Sequence, residues 1–147
     1  MFSEINAAIA ACIFNCFRES KCVITTFAEE QLIKSLNKAF GAIDFTNEHS
    51  DGGFAKLMQG KKDAKTRRSS IKIKDSSGIE VETGWMSEIE GIVDNTGQKV
   101  RGDRTDLLIY EEAGSNPYLA KAYTKGEALI YIGGSKFGIR LAGGTGR

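Results

Sequence analysis

The segment Asp106-Leu107-Leu108-Ile109-Tyr110 limits most tightly what this chain can fold into. A strand with one wet face alternates apolar and polar residues. A near-continuous apolar run must instead be covered on both faces, as in the central strands of a parallel sheet packed between helices. At 147 residues the chain suffices for one such domain with a real hydrophobic core. Its 41 % hydrophobic and 27 % charged residues are the composition of a soluble globular protein.

The rest of the chain supplies the elements such a sheet needs. Phe2 to Phe17 carries Ile5, Ile9, Cys12, Ile13, Cys16 and Phe17 at helical spacing and is read as a helix. Lys21 to Phe27 is short and β-branched, a buried strand. Thr26 and Glu29 fit a capping box that opens a second helix through about Phe40, with Leu32, Ile33, Leu36, Ala39 and Phe40 in one stripe. From Gly41 to Ser70 the pattern dissolves, which predicts a loop or insertion holding the lone His49 and a basic run. Ile71–Lys74 and Ile79–Thr83 alternate about Asp75-Ser76-Ser77-Gly78, a hairpin with one wet face. Ile89–Val93 adds a short strand, Pro117 opens a helix reaching about Ile130, and Phe137–Ala142 closes with a strand. The order is that of an α/β domain with mostly parallel central strands. Ligands bind such sheets at the carboxyl ends of the strands, here Thr26-Phe27, Glu111-Glu112 and Gly143 to Gly146.

Composition excludes several classes. A net charge of +1 is no uniformly basic surface, so any nucleic-acid contact requires a local patch. The apolar N-terminal stretch is interrupted by Glu4, Asn6 and Asn15, too short and polar to span a bilayer, and it lacks the basic start of a secretion signal. A cytoplasmic location is expected. Cys12, Cys16 and Cys22 cannot all pair within one chain. The i, i+4 spacing of the first two invites a metal reading, but no His or acidic cluster completes four zinc ligands, so buried reduced thiols are expected. Trp85 is assigned to packing.

Two carboxylates at the tip of an apolar strand form the most informative constellation. In nucleotide hydrolysis one such acid holds Mg²⁺, a hard cation that takes oxygen ligands, and the other orients the attacking water. The stretch Arg101-Gly102-Asp103-Arg104-Thr105-Asp106, then Leu107 to Tyr110, then Glu111-Glu112-Ala113-Gly114, resembles the Walker B region of the terminase large subunit. Leu141-Ala142-Gly143-Gly144-Thr145-Gly146 resembles that family's motif III, and Cys22 to Phe27 with the following helix resembles its second core strand and helix.

The resemblance implies a P-loop NTPase-like fold: a mostly parallel sheet flanked by helices, with a β-hairpin insertion. It implies an ATPase driving DNA packaging in the infected bacterial host, with ATP as substrate and Mg²⁺ as cofactor. Double-stranded DNA, a portal and a small terminase subunit would be its partners, and the full-length protein would form a homo-oligomeric ring. Glu111 takes the metal-coordinating place, directly or through water, and Glu112 the catalytic one; Gly144, Thr145 and Gly146 take the γ-phosphate sensing and coupling place. The departure is Glu111, where the family usually has Asp. Lys61, Lys62, Lys65, Arg67 and Arg68 are candidates for DNA-phosphate or trans-acting contacts, against the simpler reading of a solvated charged loop.

The phosphate-binding pattern G-x-x-x-x-G-K-[ST] occurs nowhere in the 147 residues. Residues 1–147 are therefore expected to be a partial ATPase core, an incomplete domain, with the phosphate loop and its strand upstream and a nuclease domain downstream. Two other functions fit the same residues: a non-catalytic α/β binding module with an acidic edge, and another P-loop motor of helicase or recombinase type.

Overall fold

The computed structural model describes residues 2–51, 62–102 and 104–144. Helix α1 spans Phe2–Cys16, strand β1 Lys21–Thr26 and helix α2 Glu29–His49. Then follow β2 (Thr66–Arg68), the hairpin β3 (Ile71–Lys74) and β4 (Glu80–Thr83), β5 (Glu88–Val93) and β6 (Leu107–Tyr110). Helix α3 (Leu119–Gly126) continues as a 3-10 turn to Ile130, and the chain ends in a small hairpin, β7 (Tyr131–Ile132) and β8 (Ser135–Lys136), and β9 (Ile139–Ala142).

Five strands form the main sheet in the order β2-β5-β1-β6-β9. The four strands β5, β1, β6 and β9 are parallel, and β2 joins the β5 edge antiparallel. The continuous apolar run does what its pattern demands. Leu107 and Ile109 pack with Cys22, Ile24, α1 and α2 on one face, and Leu108 and Tyr110 pack with Val23, Val100, Ala122 and Leu129 on the other. Among the described residues no helix is long and apolar enough to cross a membrane.

Several expectations change. Helix α2 does not stop near Phe40 but runs on to His49. Gly41 has open space around it, so it interrupts no packing, and Ile43 extends the buried stripe of Leu32, Leu36 and Ala39. His49 thus lies on a helix with its ring stacked on Phe45, and the region expected to be loop also contributes β2. No capping box forms at the start of α2: Ala28 is the N-cap, and the Thr26 hydroxyl closes a local turn, accepting from the Ala28 N–H.

The hairpin β3–β4 is wet on both faces, with Ile73, Ile79 and Val81 exposed. Lastly, the buried face of α1 is Asn6, Ala7, Ala10, Ala11, Phe14 and Asn15, so Ile5, Ile9, Cys12 and Cys16 face outward. Small alanines let α1 lie close against α2. Apart from Phe14, the larger side chains Ile5 and Ile9 are left on the far side with Cys12 and Cys16, and only Cys22 of the three thiols is buried.

Candidate active site at the carboxyl edge of the sheet

The carboxyl ends of β1, β5, β6 and β9 come together at one edge, and the acidic pair stands in its middle. Hydrogen bonding carries the β6 ladder one residue past the strand: the Glu111 N–H donates to the Thr25 carbonyl over 2.9 Å. The chain then turns at Glu112, whose φ of 53° and ψ of 38° put a non-glycine residue in the left-handed region, a conformation that costs on the order of 1 kcal/mol and persists only where its surroundings hold it. Those surroundings are the end of β9. The Ala113 N–H donates to the Gly143 carbonyl at 2.9 Å, and the Gly143 N–H to the Tyr110 carbonyl at 3.1 Å. A Cβ on Gly144 would lie 2.8 Å from the Glu112 Cα, so only glycine lets β9 approach the turn this closely.

Glu111 is 2 % exposed, and its carboxylate points away from solvent into the first two turns of α1. Asn6 Nδ2 donates to Oε1 at 2.8 Å and Ser3 Oγ donates to Oε2 at 3.0 Å. The start of a helix carries unsatisfied N–H groups and partial positive charge, which favours a carboxylate there. Asn6 is itself 1 % exposed, so the pair forms a buried polar contact between two otherwise apolar elements. Beside it, the ring of Phe2 lies against Gly143, where an added Cβ would collide with it. Glu112 is half-buried next to this cluster.

A threonine and an aspartate complete the edge. The Thr25 hydroxyl donates to the Ile92 carbonyl at 2.9 Å. Asp94, immediately after β5, is buried, and its Oδ1 accepts the N–H groups of Thr96 and Gln98. Burial pushes the Asp94 carboxyl up, but the loop amides of Lys99, Gln98, Thr96 and Gly97 outweigh it and leave the pKa lowered.

Glu111 Oε2 and the Ser3 hydroxyl lie 3.0 Å apart in a hydrogen bond at the start of α1, with Asn6 fixing the other carboxylate oxygen, and these oxygens are the ones a hard cation would use here. The same edge therefore combines a buried, hydrogen-bonded carboxylate, a second carboxylate on a locked turn, and glycines that let the Phe2 ring and the Glu112 backbone pack closely against the end of β9.

Of the candidate residues, the fold brings Glu111, Glu112 and Gly144 together. Thr145, Gly146 and Lys61 lie outside the described residues. Lys62 is exposed at an isolated bridge with Arg67. Lys65 pairs with Glu29, Arg67 lies 4.1 Å over the Phe40 ring, and Arg68 is held by Glu82 and Glu88, each at 2.9 Å. Ser3 and Asn6 escape the sequence reading. The available signal is Asn6 itself, a polar residue in phase with Ala7, Ala10 and Phe14 on the buried face.

No protein-family model matches the chain, and no curated protein does. Solved structures do. The large terminase ATPase domain of Thermus phage P74-26 aligns with a TM-score of 0.70 at 13 % identity, and an arginine-to-alanine variant of it with 0.71 at 14 %. Each comparison covers 99 % of this chain and 56 % of the other. The HK97 bacteriophage large terminase aligns with a TM-score of 0.59 at 12 % identity, over 99 % of this chain and 27 % of its own. This chain therefore has the fold of phage large terminase ATPase domains and spans about half the length of the domains it matches.

Proposed function

We propose that the chain is part of the ATP-hydrolysing core of a phage large terminase and carries the Walker B side of its active site. One observation supports this reading above the others. Glu111 is buried, yet its carboxylate is turned onto Ser3 and Asn6 at the start of α1, where a strand-end carboxylate would share a cation with a nucleotide phosphate.

In this reading Glu111 and Ser3 hold Mg²⁺, which when bound neutralises charge developing on the phosphate oxygens. Asn6 keeps the Glu111 side chain in the one orientation that reaches α1. The longer side chain in the place where Asp is usual is then matched by its partners, which meet the carboxylate at hydrogen-bond distance. Glu112, on its left-handed turn, orients and deprotonates the attacking water.

Gly144, Thr145 and Gly146 transmit the γ-phosphate state, since Gly144 rests on the Glu112 backbone and displacement after β9 would move that turn. DNA translocation, the portal, the small subunit and a ring assembly belong to the whole protein under this proposal. Lys61, Lys62, Lys65, Arg67 and Arg68 remain proposed contacts to DNA or to a neighbouring subunit's nucleotide. Lys65, Arg67 and Arg68 would have to give up their internal partners to make them.

The test is Glu112→Gln in the full-length protein, measured by steady-state ATP turnover and nucleotide binding. Turnover is expected to fall by roughly 10²–10⁴-fold, the contribution of a positioned general base, with binding retained. Retained turnover moves the base elsewhere, and an absence of ATPase activity in the unaltered protein favours a non-catalytic α/β module.

A further inference from the structure

A second group of metal-ligating atoms lies on the outer face of α1, opposite the alanines that pack on α2. Cys12 and Cys16 sit one turn apart, both exposed, with their sulfurs 4.0 Å apart. We propose that Cys12 and Cys16 form a two-thiolate site for a borderline or soft divalent cation of the zinc and cadmium class.

The separation of the sulfurs carries the argument. Thiolates bound to tetrahedral zinc lie about 2.3 Å from the metal, which sets them about 3.8 Å from each other. The pair already stands close to that spacing, so a cation enters with small side-chain rotations and no movement of the backbone. Oxidation to a disulfide is different. Residues four apart on a helix have Cβ atoms about 5–6 Å apart, while a disulfide needs about 3.5–4.5 Å. Cross-linking would unwind α1; chelation leaves it intact.

Loading exchanges two S–H protons for two metal–sulfur bonds, so two protons are released per Cys12–Cys16 pair and occupancy rises with pH. No third His, Cys, Asp or Glu converges on the pair among the described residues. The other two coordination positions are therefore open to water, to a small thiol, or to the same pair on a second copy. Cys22 is buried on the opposite side of the helix layer and takes no part.

Titration of the reduced, metal-free chain with Cd²⁺ tests the site, read by thiolate-to-metal charge-transfer absorption and by proton release. The expected result is a saturating band that disappears in Cys12→Ser and in Cys16→Ser and survives in Cys22→Ala. Saturation at one cation per chain indicates water as the remaining ligands, and at one per two chains a second copy's pair; either supports the site. The absence of a saturating band in the unaltered chain overturns the proposal, as does a band that both serine variants retain. Circular dichroism of each variant guards against reading a folding defect as lost binding.

Discussion

The two ends of the central sheet are built on opposite principles. At the amino end, Lys21 pairs with Glu88 and Glu90, Arg68 with Glu82 and Glu88, and Arg104 with Asp106. Lys21, Arg68, Glu88, Arg104 and Asp106 line an open cleft of about 890 Å³ together with Ile13, Phe17 and Met86. Charge there is abundant and partly shared, with Lys21, Arg68 and Glu88 each in two ion pairs. At the carboxyl end the contacts of the acidic pair are single: Asn6 to one oxygen of Glu111, Ser3 to the other, Gly144 on the back of Glu112. A large cleft with many ions is not by itself the chemical end of a sheet. The end with a buried, individually positioned carboxylate is the better candidate, because reaction geometry needs groups that cannot rearrange.

The contrast can be broken by measurement. Asn6→Leu should have the largest effect on folding, because it leaves the buried Glu111 oxygen without its donor. A loss of about 2–4 kcal/mol is expected in urea unfolding, and a loss smaller than that of Lys21→Met would erase the distinction between the two ends.

Gly144→Ala comes next. Its methyl group meets the Glu112 backbone rather than a flexible side chain, so a loss of about 1–3 kcal/mol should appear in unfolding experiments. If stability is unchanged, the end of β9 does not brace the acidic turn.

Lys21→Met should cost under about 1 kcal/mol, and the difference from wild type should shrink further in high salt. Burial draws the Lys21 pKa down, but Glu90 and Glu88 outweigh it and leave it raised. Its contribution is therefore complete at neutral pH and lost only as the pH rises through the ammonium's own titration.

The smallest effect sharpens the picture of the helix layer. Cys12 and Cys16 should react with a thiol reagent in the native chain while Cys22 reacts only on unfolding. Burial pushes the Cys22 thiol from 9.0 up to about 12. A raised thiol pKa favours the fold at neutral pH, and that stability drains away between pH 9.0 and about 12, where the unfolded thiol ionises and the folded one does not. Native alkylation of all three thiols at neutral pH would contradict the burial of Cys22.

Much of this was legible along the chain, and the misses have definite causes. The β6 run was readable because four consecutive apolar residues leave no wet face, whichever helices cover them. The carboxyl-edge position of Glu111-Glu112 followed from the strand direction. The extent of α2 was not readable, because Gly41 and the charged tail to His49 suggest an ending when only local propensity is weighed. Contacts of Phe40 and Ile43 with the core override it. The direction of α1 was not readable either. Ile5, Ile9, Cys12 and Cys16 form one stripe and the alanines with Phe14 another, and hydrophobic spacing alone assigns the core to the first.

What the sequence determined by itself was therefore the alternation of elements, the doubly covered central strand and the strand-end acids. These depend on period, on apolar content and on a residue's position at a strand tip, all of which are local. Tertiary structure alone decided which face of α1 is buried, which left two thiols in the open. It alone brought Ser3 and Asn6, more than a hundred residues away in sequence, onto Glu111. It alone decided that Gly144 would seat on Glu112. Those outcomes turn on close approach between distant segments, where small side chains and single hydrogen bonds outweigh the larger apolar groups that dominate a linear pattern.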